Sequence, residues 1–274
     1  MPRWTLDQIP WDRFDPAKLD PALLRIVKAA ALTEYNAARY TAYLDHVFSD
    51  DAEFQGFARE WQAEERQHGM ALARYARLSD PAWDFDAVFH RFAEGYVIPV
   101  EVQESVRGSR VGEMVARCVV ETGTSSFYSA LGEATEEPVF KEICHRLAGD
   151  EFRHYKMFLD CLRKYQSTEH LSLVERIRVA ISRLRETEDD ELAYAYHCAN
   201  EPVGLAYDRT RASAAYGAAA FKLYRFHHVE RATGMLMKAA GLRHQGWLGR
   251  QATRIAWWAL RGKTHRFDRV AHVG

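Results

Sequence analysis

The chain has 274 residues with 37 Lys and Arg against 38 Asp and Glu; 47% of its residues are hydrophobic and 27% charged. That composition excludes a disordered or collagen-like chain, and the length suits one large domain, or one domain with an appendage, whose core needs no disulfide staples. The near-zero net charge hides an asymmetry: residues 171–274 carry 17 Lys and Arg against 10 Asp and Glu, whereas residues 1–170 carry 20 against 28. Four scattered cysteines (Cys118, Cys144, Cys161, Cys198) form no C-x-x-C pair and read as reduced thiols, which favours a cytoplasmic setting. The opening MPRWTLDQIP has no apolar signal region, and no uncharged apolar run is long enough for a membrane span.

In chain order, Asp20-Pro21 reads as an N-cap followed by proline at the first helical position. The helix it opens is expected to run to about Phe48. A second helix is expected from about Asp51 to Leu78, closed by Ser79-Asp80-Pro81. The stretch from Ser79 to Gly108, with Pro81, Gly95 and Pro99, then forms a long connection. A third helix is expected from near Ser109 to about Leu131. A fourth starts near Pro138, with Thr135 as candidate cap, and reaches about Tyr165. Helices near 171–187, 190–199, 208–240 and 246–262 follow. Period-two β-branched runs are missing, so the expected fold is all-α. Residues 1–170 are expected to form a four-helix bundle with one long crossover, and residues 171–274 a helical extension packed on it.

Two segments carry chemistry: Glu64-Glu65-Arg66-Gln67-His68 and Asp150-Glu151-Phe152-Arg153-His154. Each holds Glu-x-x-His on a predicted helix, where positions i and i+3 share a face. One match is weak, because a Glu-rich chain with 12 histidines offers about one by chance. A third, Glu142-x-x-His145, precedes the second by two and a half turns, about 180° around the same helix, and reads as solvated surface. The repeat is the stronger signal. The step from Glu34 to Glu65 matches that from Glu121 to Glu151 to within one position; the offset between halves is 87 for the single glutamate and 86 for both members of the pair. A lone glutamate is ordinarily solvent-facing, but Cys118, Val119 and Val120 make that reading less comfortable for Glu121. Two hairpins with one ligand set would point Glu34, Glu65, His68, Glu121, Glu151 and His154 inward, the ferritin-like di-iron or di-manganese pattern. Two divalent cations would offset four carboxylates that are too costly to bury unpaired. The donor set suits non-haem iron, with manganese as a substitute, over structural zinc.

Thr124, one turn beyond Glu121, is either placed to hydrogen-bond toward the metals or an ordinary back-bonded helix threonine. Asp150 either orients a ligand histidine through its ring N–H or is a surface acid beside Arg153. Gly69, Gly123 and Gly149 each sit within two residues of a ligand, which suggests close backbone or ligand approach.

Trp61-Gln62-Ala63-Glu64-Glu65-Arg66-Gln67-His68-Gly69 resembles the W-x-A-E-E-x-x-H-G stretch of the soluble acyl-carrier-protein desaturases, and Asp150-Glu151-Phe152-Arg153-His154 resembles their D-E-x-R-H stretch. Thr33-Glu34 and Glu121-x-x-Thr124 match as well, and the resemblance covers about residues 20–165. It implies an O2-dependent di-iron oxidoreductase, a desaturase or hydroxylase of an acyl or lipid-like chain held on a carrier protein or other thioester. Two iron ions and an external, ferredoxin-like electron donor come with it. Carried over, Glu34 and Glu121 are terminal ligands, Glu65 and Glu151 bridge, and His68 and His154 each cap one iron. Thr124 assists oxygen activation, and Asp150 joins a histidine-linked electron path that starts at an N-terminal tryptophan, for which Trp11 is the candidate.

Other readings share this ligand set. Ferritin-like ferroxidases usually stop soon after the fourth helix. Arylamine N-oxygenases add a histidine one turn before the second Glu-x-x-His, where this chain has Leu147; ribonucleotide reductase small subunits normally use Asp at the place of Glu34. A narrow apolar channel ending beside the metals would single out the chain oxidase. The tail is a separate question. Residues 203–274 hold 13 Lys and Arg against three acids. Gly246–Arg261 is expected to set Arg250, Arg254 and Arg261 on one face and Leu248, Ala252, Ile255 and Ala259 on the other, with Trp247, Trp257 and Trp258 alongside. Three readings compete: a helix packed on the bundle with a solvated basic face, a docking face for an acidic acyl carrier protein, or a peripheral membrane helix. No nucleic-acid-binding motif is present, and a homodimer is an expected assembly.

Overall fold

A computed structural model describes residues 2–102, 104–186 and 191–271. Asp20 accepts hydrogen bonds from the amides of Ala22 and Leu23, and Pro21 opens α1 (Pro21–Tyr35). The chain does not run on as one rod to Phe48. Asn36 leaves helical geometry, with ψ at 2°, and α2 (Ala37–Val47) restarts beyond it. Asparagine is a poor helix-interior residue, and this one falls two residues after Glu34.

The side chain of Asp51 accepts from the Phe54 amide and caps α3 (Ala52–Ser79). The long connection contains its own helix, α4 (Phe85–Gly95), capped by Asp84. Ser109 caps α5 (Arg110–Ala134). Glu137, not Thr135, caps α6 (Pro138–Glu169), its carboxylate taking the amides of Val139 and Phe140. Thr135 instead ends α5, and its hydroxyl accepts the Glu137 amide. A carboxylate at this position meets two otherwise orphaned donors and the positive end of the helix, so it outcompetes a hydroxyl two residues away.

α1 and α2 pair with α3, α5 pairs with α6, and α3 lies against α6. The result is an all-α, ferritin-like bundle of two hairpins joined by one long crossover; no strand occurs among the described residues. Its interior divides in two. One apolar cluster takes Ile26 to Leu32, Ala71 to Ala76, Phe127 to Leu131 and Val139 to Ala148. The other takes Ala37 to Phe48, Phe54 to Trp61, Val111 to Val119 and Tyr155 to Tyr165. On all four rods the seam between them falls at the predicted ligands.

The remaining helices are α7 (Leu173–Glu186), α8 (Glu191–Asn200), α9 (Arg209–Phe221), α10 (Phe226–Ala240) and α11 (Trp247–Ala271). The single helix expected over 208–240 is broken at Lys222–Arg225. There the amides of Leu223 and Tyr224 reach carbonyls three residues back, and His228 accepts the Arg225 amide to begin α10. α8 packs on α1, α9 on α1 and α8, and α7 and α10 on α5; α11 crosses α9 and α10. α11 is turned about a quarter turn from the orientation that would pack its Leu248–Ile255 face on the bundle: Leu248 and Ile255 face water with the arginines, while Gly249, Thr253 and Phe267 are buried. Phe267 sets it. Its ring fills the place of the missing side chain at Gly217, where a Cβ would lie 2.6 Å from the ring. Among the described residues no helix is long and apolar enough to cross a membrane.

Candidate metal centre

The six predicted ligands meet at the seam. Glu34 comes from the last turn of α1, Glu65 and His68 from mid-α3, Glu121 from mid-α5, and Glu151 and His154 from mid-α6. All are buried. Ligand atoms of Glu34, Glu65, His68 and Glu151 lie within 4.8 Å of one another, and so do those of Glu65, Glu121, Glu151 and His154. Glu65 and Glu151 belong to both groups, one carboxyl oxygen to each side. His68 Nδ1 lies 3.1 Å from Glu151 and 3.7 Å from Glu34. His154 Nδ1 lies 3.0 Å from Glu65 and 3.6 Å from Glu121. The arrangement repeats the twofold offset of the sequence.

These atoms converge without satisfying one another. His68 Nδ1, His154 Nδ1, Glu121 Oε2 and Glu151 Oε1 are buried with no hydrogen-bond partner. An orphaned buried polar atom costs about 1–3 kcal/mol, so four around one point are an arrangement that wants a further occupant. Carboxylate oxygens and neutral imidazoles are the donors a divalent iron or manganese takes, and the residues present fit two such ions.

The ionisation pattern carries the same strain. Burial, together with the charges of Glu65 and Glu151, pushes the Glu34 carboxyl well above its usual range. Burial likewise raises Glu121, with Glu151 and Glu65 adding to it. Burial and Glu151 act the same way on Glu65, but the neighbouring Glu34 carboxyl and the two imidazoles prevail and hold it at about 2. Burial also opposes ionisation of Glu151, which the two histidines nevertheless hold far down. Burial disfavours charge on the imidazoles too. The surrounding carboxylates outweigh it and raise both, Asp150 leading at His68 and Glu121 at His154. Cations at this point would balance the carboxylates.

Outside the six, each histidine is oriented through its other nitrogen. His68 Nε2 meets Asp150 Oδ2 at 3.1 Å, and His154 Nε2 meets Glu64 Oε2 at 2.7 Å. The acid preceding each shared glutamate thus serves the histidine of the opposite hairpin. Arg153 donates to both acids. Asp150 is buried, not a surface acid. Its counterpart Glu64 was legible in principle, for Glu64 and Asp150 stand at the same offset as the two Glu-x-x-His pairs they precede. Trp4 donates to Asp150 at 2.7 Å and stacks on His68, 7° from parallel at 6.1 Å. Trp11, the sequence candidate for that position, instead donates to the Leu6 carbonyl under the guanidinium of Arg74. The N-terminal segment is a series of short 3-10 turns with no periodicity, so nothing in the pattern separates the two tryptophans.

Thr124 donates to Glu151 Oε2 at 2.7 Å, with the Val120 and Glu121 carbonyls farther off at 3.3 Å. Tyr128, which no motif flags, donates to Glu34. Of the three glycines, Gly69 lets α3 approach α1, since a Cβ there would meet the Tyr35 backbone nitrogen at 2.7 Å. Gly123 has open space beside it and lines a cavity; Gly149 faces outward, so close approach plays no part there. Glu142 pairs with Arg146, and His145 is exposed, away from the cluster.

The cavity has a volume of about 800 Å³. Glu34, Glu65, Thr124 and Tyr128 of the bundle line it, and so do Leu260 and Phe267 of α11. Its walls are mainly apolar and aromatic, and its size is that of a site for an extended small molecule.

Fold and site together define a helical-bundle protein with a buried carboxylate–histidine centre opening on an apolar cavity. A family model described as fatty acid desaturase matches residues 19–177, which span all six converging side chains. The chain belongs to that family. A search among curated proteins finds no match.

Proposed function

We propose that this protein is an O2-dependent di-iron oxidoreductase that desaturates or hydroxylates an acyl chain presented as a thioester, as in the soluble acyl-carrier-protein desaturases it resembles. The cavity that ends at Glu34, Glu65 and Thr124 carries the reading: a storage centre has no use for an apolar slot of that size, and a chain oxidase requires one. Glu34 and Glu121 would hold one metal each, Glu65 and Glu151 both, and His68 and His154 one each. Two irons held there would activate O2, the oxidant, to remove hydrogen from an unactivated carbon.

The protein's own groups do the rest. Asp150 and Glu64 accept from the outer ring nitrogens, which fixes the imidazoles with Nδ1 turned inward. Thr124 holds the Glu151 carboxylate and presents its hydroxyl at the cavity floor. Tyr128 donates to Glu34 and keeps that carboxylate from swinging into the cavity. The apolar walls exclude water and hold the chain extended against the centre. Trp4, Asp150 and His68 form a continuous hydrogen-bonded path from the N-terminal segment inward, suited to electrons from an external ferredoxin-like donor.

Protein reconstituted with iron(II) is incubated with a reducing system, O2 and a panel of acyl thioesters, and products are read by mass spectrometry. A loss of two mass units, or a gain of sixteen, on any of them supports the proposal. Rapid iron mineralisation with every chain unchanged overturns it in favour of storage.

A further inference from the structure

The outer face of α11 breaks the rule that large apolar side chains sit inside. Trp247 is 64% exposed, Leu248 63%, Ile255 67% and Trp258 79%. At about 100° per residue these four fall within one arc of about 100°, a stripe about 16 Å long. Arg250, Arg254 and Arg261 are exposed along one border of that stripe. Residues 242–267 contain six Lys and Arg and no Asp or Glu. The opposite face of the same helix, at Ala256, Leu260 and Phe267, walls the cavity that leads to the carboxylate–histidine centre.

We infer that α11 is a docking face for an anionic lipid surface, on which the helix lies in the interfacial plane. Tryptophan with an apolar body and a polar ring nitrogen is the side chain best suited to the headgroup boundary, and arginines beside it meet the lipid phosphates. A second copy of the chain is the poorer occupant, because a twofold contact through this face sets Arg250, Arg254 and Arg261 against their own copies. An acidic carrier protein answers the arginines but leaves the bulky stripe, the larger part of the face, without a reason to be outside. Docking through α11 puts the wall of the cavity against the lipid, so an acyl chain needs to pass only one helix to reach it. The inference goes beyond the oxidase reading and stands whether or not the centre holds iron.

The test is flotation of the full chain with phosphatidylcholine vesicles, with and without a quarter phosphatidylglycerol. The protein is expected to float with the anionic vesicles alone and to be released by high salt. Each of Arg250→Gln, Arg254→Gln and Arg261→Gln should lower partitioning about fivefold. Ile255→Glu with Trp258→Glu should abolish it while the thermal midpoint, read by circular dichroism, stays within a few degrees of the parent. Wild-type tryptophan emission should shift to the blue on anionic vesicles, and that shift should vanish in Trp247→Phe with Trp258→Phe. Failure of the parent chain to float, or flotation indifferent to the substitutions, overturns the inference. So does a dimer in sedimentation that Ile255→Glu with Trp258→Glu dissolves, or an acidic carrier protein bound at this face while vesicles are not. None of these outcomes changes iron content or turnover on soluble thioesters, so they leave the oxidase proposal to its own test.

Discussion

Asp150 sits where three functions meet: it accepts from Trp4, faces the outer nitrogen of His68 and is held by Arg153. Burial works against its charge, and the His68 and Trp4 contacts still keep it ionised below the ordinary carboxylate range. Asp150→Asn keeps the shape and removes the charge, so iron affinity measured by competition with a chelator should fall about 10- to 100-fold. Trp4→Phe keeps the ring against His68 and removes only the donor. It should retain iron and lose about tenfold in turnover driven by an external reductant. An equal loss of iron would show that Trp4 only supports the site. The six converging residues were legible because chemistry that needs four rods leaves a repeat in the sequence, with Glu34, Glu65 and His68 answered in the second half by Glu121, Glu151 and His154. Trp4 was not, since the N-terminal segment matches nothing else in the chain, and Tyr128, two turns beyond Glu121 on α5, was not because the matching place beyond Glu34 holds Thr41.

At the scale of elements, caps and close approaches fix where the ligands stand. Burial opposes ionisation of Asp51, but the Phe54 amide, Lys164 and Tyr165 prevail and hold it at about 2. Its folded value lies below its unfolded one. The stabilisation is therefore complete above the ordinary carboxylate range and is lost as pH falls toward 2. Asp51→Ala should cost about 1 kcal/mol in urea unfolding at pH 7, and the difference from the parent should shrink steadily at and below pH 3. Gly69→Ala drives a methyl into the backbone of α1, which cannot yield as a side chain end can. It should destabilise by about 1–3 kcal/mol and loosen the register between Glu34 and Glu65, seen as faster iron loss. Helix existence was readable from periodicity and caps. The breaks at Asn36 and Lys222–Arg225 were not, because neither falls at a Gly or Pro in the sequence. The rotation of α11 escaped too: it is decided by a contact between Phe267 and Gly217, which lie on different helices far apart in the chain.

The whole molecule joins a centre at the seam of two apolar clusters to a cavity lined in part by the later helices. The bundle supplies the donors, and α9 to α11 supply most of the far wall. Gly123 opens on the cavity beside Thr124, so Gly123→Leu should plug it without touching a ligand. Iron content should be unchanged and oxidation of the longest accepted chain lost, with shorter chains less affected in a competition assay. The claim beneath all of this is that six side chains hold two metals. Metal analysis after anaerobic loading with iron(II) and desalting tests it most directly. The account predicts two irons per chain in the parent and in Glu142→Ala, and a near-complete loss in Glu151→Ala, whose carboxylate belongs to both ligand groups. A parent chain that keeps no iron or manganese, or a Glu151→Ala variant that keeps both ions, would contradict it.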